Sequence, residues 1–304
     1  MKRIGIDLGG HTITAGEVDF DCTLPVVKSP VTIQTPKERE LSKVLRAIEE
    51  LVLLYAAPGE KIFVGIGIPG FVDGERRRVA RLTNFERCDG AAVADMLNSL
   101  LKGHGIDAEV RIENDANCVA IGEKIAGAAQ GMNDFVVLTL GSGIGTGIFA
   151  NGRLLSGAHG MAGECGHMAL ISSDSECGCG GVGHFERYFS GDVIEKLAKE
   201  AGLPNDFREL WARRGEKEAA ALIEPAIETF ARGISSIAVT LDPEVIILSG
   251  GISRAEGLET SVRERIEKYL PIPFRRFFEI KISQLGGAAA LIGAASLGQE
   301  MDSE

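Results

Sequence analysis

This sequence predicts an α/β fold with an internally repeated plan, on three observations. Strand-like and helix-like segments alternate along most of the chain, the pattern of a sheet covered by helices. Two segments about half a chain apart, residues 4–19 and 135–150, each read strand, glycine turn, strand. Placed on one another, they align Leu140-Gly141 with Leu8-Gly9, which points to a duplicated domain. Residues 62–68 form a continuous apolar run of strand length, as strands buried on both faces do.

The elements follow in order. In residues 4–19, Ile13 and Ala15 alternate with Thr12 and Thr14, the period of a half-buried strand. A third strand covers about 26–33. Thr35 as N-cap, Pro36 as first helical residue and Glu38 as capping-box partner predict a helix start. Leu41, Val44, Leu45, Ile48, Leu51, Val52 and Tyr55 give that helix one apolar face, and Pro58-Gly59 ends it. After the strand at 62–68 and its stop at Pro69-Gly70, Arg76-Arg77-Arg78 reads as the solvated turn of a hairpin. A helix at about 91–101 stops at Gly103. A strand at 109–112 leads into Glu113-Asn114-Asp115 and a helix to about 128. Beyond the second glycine-turn hairpin come helices ending near 241, a buried strand at 244–248, and Ser249-Gly250-Gly251. A helix at about 256–269, a strand at 279–282 and a small-residue helix at 288–297 complete the pattern. The expected division is an N-terminal α/β domain of residues 1–115, with helix 288–304 returning to it, and a larger C-terminal α/β domain of residues 116–287.

Composition narrows the function classes. With 304 residues, the chain is long enough for one large or two medium domains. A net charge of −11 argues against a nucleic-acid face, which needs clustered Lys and Arg. No apolar run reaches spanning length, and Met1-Lys2-Arg3 passes into Ile4-Gly5-Ile6 without a secretory h-region. A cytoplasmic protein without membrane contact is expected. In that compartment short-spaced cysteines favour metal over disulfides.

Three stretches carry chemistry. In Asp7-Leu8-Gly9-Gly10-His11-Thr12 a carboxylate ends a strand and a side-chain-free turn follows. Such a turn cradles phosphate oxygens, and the carboxylate organises Mg²⁺ or its waters; the plainer reading is a hairpin turn. Gly141-Ser142-Gly143-Ile144-Gly145-Thr146-Gly147 holds four glycines in seven residues, which weakens a hairpin and favours close approach of a ligand. Neither loop fits the Walker pattern or the dinucleotide fingerprint. Asp115 at a helix start reads either as an N-cap or as a base for a hydroxyl proton.

The third stretch, residues 159–186, holds three of the six cysteines and three of the five histidines. His167, Cys177, Cys179 and His184 at glycine-spaced intervals suit tetrahedral zinc, with Glu164 and Glu186 flanking them. Cys165 reads as a small core residue, and Cys22, Cys88 and Cys118 receive no role.

Together these segments resemble the ROK family of sugar kinases and sugar-responsive repressors. The matching stretches are Asp7-Leu8-Gly9-Gly10, Gly67-Ile68-Pro69-Gly70 with Val72-Asp73, Glu113-Asn114-Asp115-Ala116-Asn117 and Gly141-Ser142-Gly143-Ile144-Gly145. Gly163-Glu164-Cys165-Gly166-His167, Cys177-Gly178-Cys179-Gly180 with Glu186, and Ser249-Gly250-Gly251 follow in order. The resemblance implies the actin-like ATPase (ribonuclease-H-like) fold, two α/β domains around a central cleft. It implies ATP held through Asp7, Gly9, Gly10, His11, Thr12, Gly141, Ser142 and Gly143, with Gly250 and Gly251 near the adenosine. It implies a hexose touched by Asn84, Asn114, Asp115, Glu164, His167 and Glu186. Asp115 is then the catalytic base, usually acting on O6, and the zinc is structural. His167 binds zinc through one ring nitrogen and sugar through the other.

The chain departs from the family pattern at His184, normally a cysteine, at His11, usually Thr, and at Ser142, also usually Thr. The leading expectation is a glucokinase-like, ATP-dependent hexose kinase. Kinases of N-acetylglucosamine, N-acetylmannosamine, mannose, fructose or allose share these motifs and form the alternative. A sugar-responsive repressor is disfavoured by the acidic charge and by a start at the first core strand; a sugar binder without catalysis is disfavoured by Asp115. Many family members are homodimers or homotetramers, and the same is expected here.

Overall fold

The computed structural model describes residues 1–82, 85, 88–171 and 175–299. The chain forms two compact units. Met1–Gly131, Leu154–Ala162 and the C-terminal stretch from Gly287 make the first; Met132–Arg153 and Gly163–Gly286 make the second.

In the first unit β1 (Lys2–Leu8), β2 (Thr12–Asp19) and β3 (Val26–Gln34) form an antiparallel meander. Helix α1 (Leu41–Leu53) leads to β4 (Lys61–Ile68), which pairs parallel to β1. A small hairpin of β5 (Gly70–Val72) and β6 (Val79–Leu82), then α2 (Val93–Gly103), precede β7 (Asp107–Asn114), parallel to β4. The sheet order is β3-β2-β1-β4-β7. Helix α3 (Asp115–Ala126) follows directly.

The second unit repeats the plan. Strand β8 (Phe135–Leu140) pairs antiparallel with β9 (Ile144–Ala150), and the two-residue β10 (Arg153–Leu154) sits at the edge. Helices α4 (Gly191–Glu200), α5 (Phe207–Ala212) and α6 (Lys217–Leu241) precede β11 (Val245–Ser249), parallel to β8. After α7 (Leu258–Ile266) and α8 (Ile272–Arg275), β12 (Ile280–Ile282) adds parallel to β11. This doubled arrangement is the actin-like ATPase fold. Helix α9 (Ala288–Ser296) returns to the first unit.

Two expectations are corrected. Helix α1 begins at Leu41, not at Pro36. The buried Thr35 donates its hydroxyl to the Gly9 carbonyl at 2.8 Å instead of capping a helix, and Arg39 has a left-handed φ of 51°. The first unit extends to Gly131 rather than ending at Asp115, because α3 packs on α9. The Arg76–Arg78 turn is also more than solvated surface. Arg76 pairs with Glu113 at 3.0 Å, and Arg77 pairs with Asp95.

One face of the first sheet is built to take backbone. Gly16, Gly5 and Gly65 lie side by side across β2, β1 and β4. A Cβ on Gly5 would lie 2.0 Å from the Leu291 carbonyl oxygen, and one on Gly65 1.7 Å from that of Ala294. Gly122 of α3 and Gly293 of α9 repeat this at the helix crossing, at 2.1 Å from the Ala289 oxygen and 1.8 Å from the Cys118 oxygen. Glycine inside a strand marks such close approach. The opposite face carries Ile4, Ile6, Val64 and Ile66, fully buried with residues of α1 and α2.

Candidate functional site

Two residues along from the glycine row, on the same face, the register places Asp7 beside Gly67 and Gly67 beside Glu113. The start of α3 lies over Gly67: a Cβ there would be 3.4 Å from the Asp115 Cα and 3.3 Å from Cys118 Sγ. Three carboxylates therefore surround the buried Cys118. Burial first, then Glu113, Asp115 and Asp7, holds its thiol well above the usual range. Burial also pushes the Asp7 carboxyl up to about 6, although Asp7 keeps part of its surface exposed.

Asn114, not Asp115, is the N-cap of α3. Its side-chain oxygen accepts the Asn117 N–H at 3.0 Å, and its amide donates to the Gly70 carbonyl at 3.1 Å. Asp115 is the first helical residue, and its Oδ1 accepts the Ala116 N–H at 2.8 Å. Behind it, buried Glu113 accepts from the Asn114 N–H at 2.8 Å and from the Asn117 side chain at 3.1 Å; its second oxygen meets Arg76. Sequence reasoning misses this brace on Asp115. A charged residue ending a buried strand is its one sequence signal, because the partner Arg76 is remote in the chain.

The first glycine turn is closed by the Gly9 N–H donating to the Thr12 carbonyl at 2.8 Å. Gly10 is open, with nothing within 4 Å of where a Cβ would stand, and His11 is exposed. Arg39, which sequence reasoning also misses, donates to the Gly10 carbonyl at 3.2 Å. Asn84 lies outside the described residues. Its neighbour Phe85 is buried in the first core. A cavity of about 520 Å³ in this unit reaches Glu113 and Asn117. Its three arginines are each paired, Arg76 with Glu113, Arg77 with Asp95 and Arg111 with Glu109.

In the second unit, residues 141–143 turn between β8 and β9, with the Gly141 N–H donating to the Gly143 carbonyl at 3.1 Å. The start of α4 is attached to this turn. Gly191 N–H donates to Gly141 O at 2.8 Å, and Asp192 N–H donates to Ser142 O at 3.3 Å. Gly250, after β11, adopts a φ of 90° and would bring a Cβ within 2.4 Å of the Leu140 oxygen, while Gly251 is open.

The four predicted metal ligands come together. Their ligand atoms in His167, Cys177, Cys179 and His184 all lie within 4.8 Å of one another. Cys177 Sγ stands 3.7 Å from His167 Nδ1, and Cys179 Sγ 3.3 Å from His184 Nδ1. Tetrahedral zinc with sulfur and nitrogen ligands needs pairs roughly 3.3–3.8 Å apart. The knuckle is shaped for the bulkier His184. A Cβ on Gly181 would fall 2.4 Å from its ring, so glycine there makes the room. Phe185, buried against Gly233 of α6, anchors the chain that follows. The donor set and this cradle fit a zinc ion. Cys165 lies outside the quartet, half-buried against the second core.

Two carboxylates border the quartet. Glu164 Oε2 lies 3.7 Å from His167 Nε2, the ring nitrogen turned away from Cys177. Burial first, then the Glu186 charge, raises the Glu164 carboxyl to about 6. Glu186 Oε1 accepts from Cys177 Sγ at 3.0 Å, and burial foremost pushes that thiol up to about 12. Among the described residues no helix is long and apolar enough to cross a membrane.

A family profile described as "ROK family" matches residues 3–301. The chain is 34% identical to a glucokinase of Thermotoga maritima, over 99% of this chain and 98% of that protein. It is 32% identical to an N-acetyl-D-glucosamine kinase of Mannheimia succiniciproducens, over 96% and 98%. Its fold matches the crystal structure of a ROK family glucokinase from Streptomyces griseus in complex with glucose and AMPPNP. That match has a TM-score of 0.84 at 29% identity and covers 98% and 99% of the two chains.

Proposed function

The chain belongs to the ROK family, and on that premise we propose that it is an ATP-dependent hexose kinase, glucokinase-like, acting on O6 of glucose. The observation that supports the reading is Asp115 as first residue of α3, behind the Asn114 cap and beside the Glu113–Arg76 pair, and its carboxylate is the group proposed to address the substrate hydroxyl. The full-length likeness to a glucokinase and to a glucose and AMPPNP complex supports the reaction class.

Asp115 orients the hydroxyl and takes its proton as the oxygen–phosphorus bond forms and the β–γ bridge of ATP breaks. In a loose phosphoryl-transfer transition state, orientation counts for more than basicity, so a carboxylate at a helix N-terminus is adequate. Mg²⁺, when bound, neutralises charge on the phosphates, and Asp7 is the residue proposed to hold its water. The backbone N–H groups of the Gly9–Gly10 and Gly141–Gly143 turns are the proposed phosphate donors, with Gly250 and Gly251 beside the adenosine. Asn84, Asn114, Glu164, His167 and Glu186 are the proposed sugar contacts. His167 Nδ1, Cys177, Cys179 and His184 are the proposed holders of structural zinc, leaving His167 Nε2 for the sugar.

A coupled kinase assay over glucose, N-acetylglucosamine, N-acetylmannosamine, mannose, fructose and allose tests the substrate. The highest kcat/KM is expected for glucose. A maximum at N-acetylglucosamine would move the reading to the alternative that the 32% identical relative supports. No turnover on any sugar would sink the kinase reading.

The raised Asp7 carboxyl predicts a pH profile. Its ionised form is lost below about 6, so kcat/KM for Mg·ATP is expected to fall about tenfold per pH unit below that point. The stability effect has the opposite sense. The folded state binds the Asp7 proton more tightly than the unfolded state, so this group lowers stability as pH rises from the usual value toward 6. Asp7→Asn is therefore expected to raise stability at pH 7 by about 1–3 kcal/mol while impairing turnover. An Asp7→Asn protein that melts earlier than wild type, or a profile flat to pH 5, would count against this role.

A further inference from the structure

The quartet and the second glycine turn are joined by short, rigid pieces of the same unit. Residues 141–144 are gripped from two sides. On one side, the 3-10 turn Cys165–His167 packs so closely on the entry to β9 that a Cβ on Gly166 would lie 2.2 Å from the Ile144 oxygen. On the other side, the chain from His184 passes through the 3-10 turn Phe185–Arg187 into α4. There Gly191 and Asp192 donate to the carbonyls of Gly141 and Ser142. This second grip is stiff: Phe185 and Phe189 are buried, and both stack on Phe230. Glu186 lies between the two grips, its Oε2 2.8 Å from where a Gly143 Cβ would stand and its Oε1 on Cys177. His167 sits on the first grip and His184 opens the second.

We propose that the metal quartet positions the nucleotide turn at residues 141–144, by tying the His167 grip to the His184 grip, so that metal loading sets nucleotide affinity independently of sugar. This rests on the nucleotide and zinc roles assigned above. The coupling is mechanical. Without the tie, the two grips keep the Ala169–His184 bridge, with the Phe185 N–H donating to the Met168 carbonyl at 2.8 Å and the Leu170 N–H to the Gly183 carbonyl at 3.2 Å. What is lost is the link between their side chains, and the Gly141–Gly143 turn then rests on two less firmly spaced supports. A glycine-rich turn has high backbone entropy, and a support that removes it lowers the ordering cost of holding a phosphate. Coupling of this kind is reciprocal: nucleotide must tighten zinc by the factor with which zinc tightens nucleotide.

The test uses the full chain without sugar. Titration calorimetry with Mg·AMPPNP on zinc-loaded and chelator-stripped protein is expected to give a Kd weaker by roughly tenfold in the stripped form. Amide hydrogen exchange at residues 142–145 is expected to quicken on stripping, while that of β8 and β11 stays unchanged. Cys179→Ser, which alters an exposed ligand far from the turn in the knuckle, is expected to reproduce both effects; near-ultraviolet circular dichroism from Trp211 checks that the second unit remains folded. Equal AMPPNP affinities with stoichiometric, removable zinc would overturn this inference and leave the kinase reading standing. Failure of the protein to bind zinc overturns the inference together with the metal assignment. Failure to bind AMPPNP at any zinc load overturns it together with the nucleotide assignment.

Discussion

Replacing Asp115 with alanine is expected to lower kcat by about 10²–10⁴-fold while the Kd for glucose stays within a few-fold. The size follows from losing the group proposed to orient and deprotonate the attacking hydroxyl. The mild effect on binding follows from the several other proposed contacts that remain. Asp115→Asn sharpens the experiment. The amide keeps an oxygen for the Ala116 N–H, and Asn114 still caps α3, so the helix start is preserved. If Asp115 served only the helix, asparagine would be nearly silent, since exchanging one acceptor for another there is worth at most about 1 kcal/mol. A kcat near wild type in either variant would remove Asp115 from the mechanism.

Gly65→Ala is expected to be the most damaging single methyl group in the first unit. Its Cβ would stand 1.7 Å from the Ala294 carbonyl oxygen, and backbone lies on both sides of the contact. No rotamer change relieves it, so α9 must lift off the sheet. The expected cost is about 3 kcal/mol or more, a fall in Tm of roughly 6–12 °C, or failure to accumulate folded protein. Gly103→Ala is the matched control, because a Cβ at the end of α2 meets nothing within 4 Å. Equal melting temperatures for the two variants would show that the close packing of α9 is not what holds it.

Features carried by neighbours in sequence are legible without the structure. The apolar run of β4, the two glycine-turn hairpins and the metal quartet all depend on short-range spacing, and the structure brings the quartet together. Features carried by distant partners are not legible. The start of α1 is misplaced by its local signals because Thr35 spends its hydroxyl on Gly9, across the first hairpin. The plainer reading of Asp115 makes it the N-cap of α3, whereas Asn114 does that work while also reaching Gly70. Arg76 reads as solvated turn because nothing local reveals that Glu113 lies opposite. The glycine row at Gly16, Gly5 and Gly65 has a sequence signal, since three neighbouring strands each carry a glycine among residues that are buried. What it receives, the backbone of α9, comes from the far end of the chain.

That last arrangement bears on how the protein is made. The sheet of the first unit is made early, but it cannot close on one face until α9 has emerged, about 160 residues after α3. At roughly 5–20 residues per second, the glycine trench and its buried strands wait on the order of ten seconds for their cover. The second unit has all its strands and its Cys/His quartet in hand before then. The chain is thus expected to mature in reverse, with the second unit folding first and the earlier half held open until α9 follows. During that interval the nascent N-terminal half should be a client for chaperones and a target for proteases.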